Sequence, residues 1–163
     1  MRRNKWIGLS GGLVILVMAV AGAASLWLPS AELKPEKVVL NWDGRIIEVP
    51  QADSRYQRLV DDAEAVIEST AKGPCKCTAE LTGDVPDKPG VLLLLPPGQS
   101  VRIRKELPAA SRVNDVRRLY VPFQEGGDSH RMELDGGVYE VSSESLDALK
   151  KTAAEAAGNF REE

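Results

Sequence analysis

A chain of 163 residues with 28% charged residues and a formal net charge of −3 has the length for one domain with a real core, and its mild acidity argues against general nucleic-acid binding, which needs a basic surface to release phosphate counterions. Two cysteines and a single histidine, His130, leave little material for imidazole-assisted nucleophiles or for metal clusters.

The N-terminus reads Met1-Arg2-Arg3-Asn4-Lys5 and is followed by 23 residues, 6–28, that carry no charge. As a helix this run reaches about 34 Å, enough for a hydrocarbon core of about 30 Å. Arg2, Arg3 and Lys5 hold the short N-terminal side in the cytoplasm, and Trp6 and Trp27 bracket the run where interfacial aromatics settle. These features predict an N-terminal transmembrane helix over 1–28, a single-pass anchor in the cell membrane that contacts lipid and sends the C-terminal domain to the extracytoplasmic side. The alternative is a cleavable signal peptide. The stretch 13–20 has the length of a signal-peptide core, and Ala21-Gly22-Ala23 resembles its cleavage site, so that cleavage near Ala23 would yield a secreted protein. Continuation through Leu26-Trp27-Leu28 favours the anchor. With the three basic residues before Trp6 set aside, 18 Lys and Arg face 24 Asp and Glu, a net charge of about −6 for the exported part.

Residues 29–36, with Pro29 and Pro35, read as a short extended linker, and 37–158 as the domain itself. Its first signal is a hairpin, 37–42 and 45–49, whose Asp43-Gly44 supplies the positive φ angles of a two-residue turn. The rhythm of Tyr56, Leu59, Val60, Ala63, Val66, Ile67 and Ala71 predicts a helix over 54–72, opened by a capping box of Ser54 and Gln57 and stopped by Gly73-Pro74.

Short strands are then predicted at 75–81, 91–95, 101–104 and 116–123. The unbroken apolar run Val91-Leu92-Leu93-Leu94-Leu95 marks a strand covered on both faces, and Val101-Arg102-Ile103-Arg104 alternates as a half-wet strand does. A second hairpin, 131–134 with 138–141, surrounds Asp135-Gly136-Gly137. A closing helix starts at Ser142 or Ser143 and buries Leu146, Leu149, Ala153 and Ala156, leaving 159–163 as a disordered tail. Two helices around a block of strands give an α+β fold: a two-layer domain with a mainly antiparallel sheet and two helices, preceded by the membrane helix.

Chemistry is sparse. Cys75 and Cys77 in Gly73-Pro74-Cys75-Lys76-Cys77 allow three readings: a structural or adventitious pair, a strained or redox-active disulfide, or a soft-metal site. On an extended strand their Cα atoms would lie about 6.6 Å apart, which disfavours a bond unless Cys75 sits in a turn. His130, Glu133 and Asp135 are a poor ligand set, because strand alternation sends His130 and Glu133 to opposite faces and Asp135 suits a turn. A basic block of Arg102, Arg104, Lys105, Arg112, Arg117 and Arg118 contrasts with the acidic remainder. Arg102 and Arg104 on one strand face, with Arg118 on a neighbouring strand, would suit lipid headgroups, an anionic envelope polymer or an acidic protein partner. A solvated face neutralised by the domain's own acids is the plainer reading. No cofactor motif is present. The expectation is a membrane-anchored extracytoplasmic binding or accessory domain of an envelope complex; a thiol or metal protein is the alternative, and a carboxylate-pair hydrolase a weaker one.

Overall fold

The computed structural model describes residues 32–75, 79, 81, 83–103, 112–123 and 130–159, which form one compact unit. The run 6–28 with Arg2, Arg3, Lys5, Trp6 and Trp27, and also Cys77, Arg104 and residues 160–163, lie outside the described residues. Among the described residues, no helix is long and apolar enough to cross a membrane.

The strands are β1 (Lys37–Trp42), β2 (Arg45–Val49), β3 (Lys72–Cys75), β4 (Gly90–Leu94), β5 (Val101–Arg102), β6 (Arg112–Val113), β7 (Arg118–Pro122), β8 (Arg131–Leu134) and β9 (Gly137–Glu140), and the helices are α1 (Tyr56–Glu68) and α2 (Ser143–Asn159). Seven strands make one antiparallel sheet in the order β2-β1-β4-β7-β8-β9-β3, while β5 and β6 pair separately. The two hairpin turns use the expected chemistry. Asp43 and Gly44 have φ of 51° and 75°, and Asp135 and Gly136 have 45° and 85°, the signs that a tight two-residue turn between twisted strands requires.

Alternation divides the sheet into two faces. On one, Val38 and Leu40 of β1, Val91 and Leu93 of β4, Leu119 and Val121 of β7 and Met132 and Leu134 of β8 share a core with Leu59, Val60, Ala63 and Val66 of α1 and Leu149, Ala153 and Ala156 of α2. Both helices therefore lie on this side, and the domain has two layers. The helices pack side by side: Asp62 accepts a 2.6 Å hydrogen bond from Thr152 Oγ1, and Arg58 meets Glu155 at 3.0 Å. On the other face Val39, Leu92 and Tyr120 form a smaller cluster against Leu81 and Leu94. The central strand β4 is thus buried on both sides, as its unbroken apolar run requires. Gly90 at its start is held close to β7, where an added Cβ would come within 2.6 Å of the Val121 carbonyl oxygen and 2.7 Å of the Tyr120 ring.

Several boundaries differ from the sequence reading. The capping box of Ser54 and Gln57 is not formed; α1 begins at Tyr56 after Arg55, whose backbone N–H and guanidinium both donate to Asp53, at 2.8 Å for the backbone bond. The Arg55 hydrogen bond holds the Asp53 carboxyl below its ordinary range. The helix ends at Glu68, not at Gly73-Pro74, because Ser69 and Thr70 turn their hydroxyls back onto the Val66 and Ile67 carbonyls. Gly73 and Pro74 instead sit inside β3, an edge strand, where a residue without N–H is tolerated. Of the strand expected over 75–81, Cys75 is in a ladder, and the other described residues, Ala79 and Leu81, carry no strand. At the other end of the domain Ser142 caps α2 through the Ser145 N–H, and the helix runs past Gly158 to Asn159.

The segment 32–36, read as linker, packs on the domain. Leu33 is 4% exposed, its N–H donates to the Glu64 carboxylate, Tyr56 OH donates to the Pro35 carbonyl at 2.8 Å, and Glu36 N–H extends the ladder to Leu94. Burial raises the Glu64 carboxyl above 4.5; the Leu33 N–H opposes the shift, and Asp61, Glu32 and Glu68 reinforce it.

Two outcomes follow from this packing. Leu59 is fully buried under the sheet, and Leu59→Ala should cost about 2–5 kcal/mol in urea unfolding. A carboxyl whose pKa is raised by folding favours the folded state while protonated, and that contribution is lost as pH rises through the folded value. Glu64→Gln keeps the acceptor oxygen without the charge, so its thermal midpoint should exceed that of the wild type at pH 7, with the gap closing as pH falls through the raised folded value toward the ordinary carboxyl range.

Candidate functional site

Two sets of residues singled out by their chemistry are placed by the fold. The first is at the edge strand β3. Cys75 pairs across the ladder with Val138 of β9, after an irregularity in register between Lys72 and Cys75 that breaks the regular strand geometry. Cys75 is exposed and disulfide-bonded. In that state its sulfur is neither a thiolate nucleophile nor a soft-metal ligand, since both roles need the free thiolate. Among the described residues, no group of three or more His, Cys, Asp and Glu side chains converges in a way that could hold a metal ion. His130 precedes β8 and is half-buried, whereas Glu133 lies on the opposite face of that strand. Asp135 is spent on the turn: its carboxylate accepts the backbone N–H groups of Arg117 and Arg118 at 2.8 and 3.0 Å.

The second set is the basic block, which the fold divides. Arg118 belongs to β7 in the large sheet, on the face away from the helices, where Asp84 and Asp135 each approach its guanidinium at 3.9 Å and the Gly83 carbonyl accepts from Nη1 at 3.4 Å. Arg102 belongs to β5, which among the described residues pairs with β6 alone, so Arg102 and Arg118 are not on neighbouring strands there. Instead Arg102 lies directly opposite Arg112. In the same ribbon Val101 faces Val113, and both pack toward the core with Ile103, which leaves the two arginines on the outer side.

Sequence patterning missed the buried polar groups under the strap formed by residues 79, 81 and 83–89, the described residues between β3 and β4. Asn41 is 4% exposed and Glu133 is 3% exposed, both on the face that carries Val39, Leu92 and Tyr120. Each holds the backbone that crosses this face. Asn41 Nδ2 donates to the Pro86 carbonyl at 2.7 Å, and Leu81 N–H donates to Glu133 Oε2 at 3.1 Å. Tyr120 OH adds a bond of 3.0 Å to the Lys88 carbonyl. Asn41 Oδ1 is buried without a hydrogen-bond partner among the described residues. In a half-wet strand Asn41 and Glu133 would point to water, and only the strap's path across them turns them inward. These hydrogen bonds fasten the strap to the sheet.

Because β3 is a short edge strand, a variant with Cys75→Ser and Cys77→Ser should remain folded, its thermal midpoint lowered by no more than about 4 °C, roughly 1 kcal/mol for a domain of this size. Circular dichroism melting checks this. Leu81 and Glu133 give the contrasting case. Glu133→Ala strips the buried acceptor from the Leu81 N–H and should cost about 1–3 kcal/mol in the same measurement.

No protein-family model, no curated protein and no solved structure matches this chain.

Proposed function

We propose that the protein is a single-pass, membrane-anchored domain on the extracytoplasmic side that acts by binding, as an accessory of an envelope complex. The observation that carries this reading is the uncharged run 6–28 behind Arg2, Arg3 and Lys5 and between Trp6 and Trp27. The disulfide at Cys75 supports it, since disulfides persist outside the reducing cytoplasm. So does the use of the domain's buried polar groups for fastening its own backbone. The expected contacts are membrane lipid through the N-terminal helix and a protein or anionic envelope partner through the exported domain; nucleic acid is not among them.

The second reading, a thiol or soft-metal protein built on Cys75 and Cys77, is favoured by the exposure of Cys75 at a sheet edge. It requires reduction of the Cys75 disulfide before any metal or substrate is engaged.

N-terminal sequencing of membrane-fraction protein should return Met1, and a C-terminal alkaline phosphatase fusion, active only outside the cytoplasm, should be active. A sequence beginning at Ala24 would instead establish cleavage and a secreted domain. For the thiol reading the cysteine-free variant decides: the binding reading expects it to complement a deletion strain as the wild type does. A folded, membrane-localised variant that fails to complement would move the assignment to thiol or metal chemistry.

A further inference from the structure

The seven-stranded sheet ends at β3 on one side and at β2 on the other. Pro74 and a break in register spoil β3 as a template for a further strand, whereas β2 pairs regularly with β1 along its whole length. The ladder fixes which backbone groups of β2 are left over. Leu95 N–H donates to the Arg117 carbonyl and Phe123 N–H to the Pro89 carbonyl, both at 2.8 Å, so β4 turns its odd-numbered residues to β7 and its even-numbered ones to β1. Their partners in β1 are Lys37, Val39 and Asn41, which leaves Val38, Leu40 and Trp42 to bond Val49, Ile47 and Arg45 of β2. The N–H and C=O groups of Ile46 and Glu48 therefore point outward from the sheet edge.

Ile46 and Val85 are the exposed large hydrophobic side chains among the described residues, at 48% and 50%. They share one border of the sheet, because Asn41, directly opposite Ile46, holds the Pro86 carbonyl next to Val85. Both lie on the face away from the helices, where Glu48 is neutralised by Lys37 at 2.8 Å. Arg45, on the helix side with Ile47 and Val49, is exposed and has no ion pair among the described residues.

A second copy of the chain fits this edge poorly. Two copies joined edge to edge by a two-fold axis keep helix side with helix side, so odd-numbered residues meet odd and even-numbered meet even. Arg45 would then meet Arg45, Ile47 or Val49 of the other copy, and Glu48 would meet Ile46 or Glu48. No register brings the opposite charges together. A different chain fits better: running antiparallel, it can set an apolar side chain opposite Ile46 and a carboxylate opposite Arg45. Its residues opposite Ile46 and Glu48 would each exchange a pair of hydrogen bonds with β2.

We infer that β2 is the docking edge for an extended, antiparallel segment of another protein, which sets an apolar residue against Ile46 and Val85 and an acidic residue beside Arg45. The inference rests on the binding reading above and names the chemistry of its partner; it does not require the anchor.

The probe is the capped hexapeptide Thr-Thr-Val-Val-Glu-Thr, whose Glu falls opposite Arg45 and whose second Val falls opposite Ile46, titrated into the isotope-labelled full chain in detergent micelles. The backbone amide protons of Ile46 and Glu48 should move downfield as they gain acceptors, while those of α2 stay in place. N-methylation at the second Thr and second Val removes the donors that face β2 and should abolish the shifts; N-methylation at the first Val and the Glu, whose amides point away, should leave them. Lys in place of the probe's Glu should weaken binding about two- to fivefold. Glu48→Pro removes an outward N–H without touching the ladder to β1 and should weaken binding about tenfold, whereas Glu48→Gln, which loses only the Lys37 pair, should bind nearly as the wild type does. If Glu48→Pro unfolds the domain, I46T/V85T, with both changes at exposed side chains, should still bind the probe severalfold more weakly.

Absence of shifts at Ile46 and Glu48, equal effects of the two N-methylation patterns, or shifts confined to another surface would overturn the inference. So would the same shifts on concentrating the chain without peptide, which would give the edge to a second copy. In a deletion strain Glu48→Pro should fail to complement where Glu48→Gln succeeds. Equal complementation by both would overturn the docking edge and leave the binding reading to another surface; that reading falls separately, on the cysteine-free variant.

Discussion

The row Val39, Leu92 and Tyr120 runs through the middle of the sheet on the side without helices, and its need for cover shapes the rest of the domain. A seven-stranded antiparallel sheet whose central strand is apolar on both sides cannot leave one face wet. Both helices are committed to the other face, where α1 carries the chain from the edge strand β2 to the opposite edge strand β3. The chain must then return to β4 in the middle of the sheet, and in doing so it passes over the uncovered row. Leu81 meets β8 through Glu133, Gly83 and Asp84 meet Arg118 of β7, Lys88 meets Tyr120 of β7, and Pro86 meets Asn41 of β1. A strap without regular structure has many backbone groups to satisfy, and the buried polar side chains of the sheet satisfy several of them. Functionally, this face is closed by the protein's own chain. Surfaces for other molecules are to be sought at the sheet edges.

The same economy of chain governs the N-terminal side of the domain. Residues 32–36 do not hang free: Leu33 joins the core, and Tyr56 and Glu64 of α1 grip the backbone on either side of it. Glu64 is kept partly out of water by this contact and lies among Asp61, Glu32 and Glu68, so the grip carries an electrostatic cost at neutral pH. A firm attachment at this point is of use if what precedes it is fixed in a membrane.

Much of this architecture was legible in the sequence. Asp43-Gly44 and Asp135-Gly136 specify their turns by backbone conformation alone, and the stripe of Leu59, Val60, Ala63, Val66 and Ile67 specifies a helix by period, so those elements were readable with no tertiary information. The unbroken run at 91–95 likewise announced a two-sided strand. What could not be read depends on contacts distant along the chain. Asp53 replaces Ser54 in organising the start of α1 because Arg55 folds back onto it. Gly73 and Pro74 become strand residues because β9 offers an edge. The separation of Arg118 from Arg102 follows from β5 finding β6 in place of β7. Asn41 and Glu133 look like solvent-facing residues until the strap is laid across them. The candidate sites suffered most for this reason, since residue types near one another in sequence, such as the basic block, were distributed between two sheets. The state of Cys75 was also left open by the sequence, in which a structural pair, a disulfide and a metal site all fit Gly73-Pro74-Cys75-Lys76-Cys77.

An uncleaved N-terminal helix that holds the domain outside the cytoplasm is the claim on which the functional account stands. Protease digestion of sealed membrane vesicles of known orientation tests it directly. In inside-out vesicles the account predicts that the domain, detected by an antibody against 37–158, is protected until detergent is added and remains with the membranes after alkaline washing. Digestion of the domain in intact inside-out vesicles, or its release by the alkaline wash, would contradict the account.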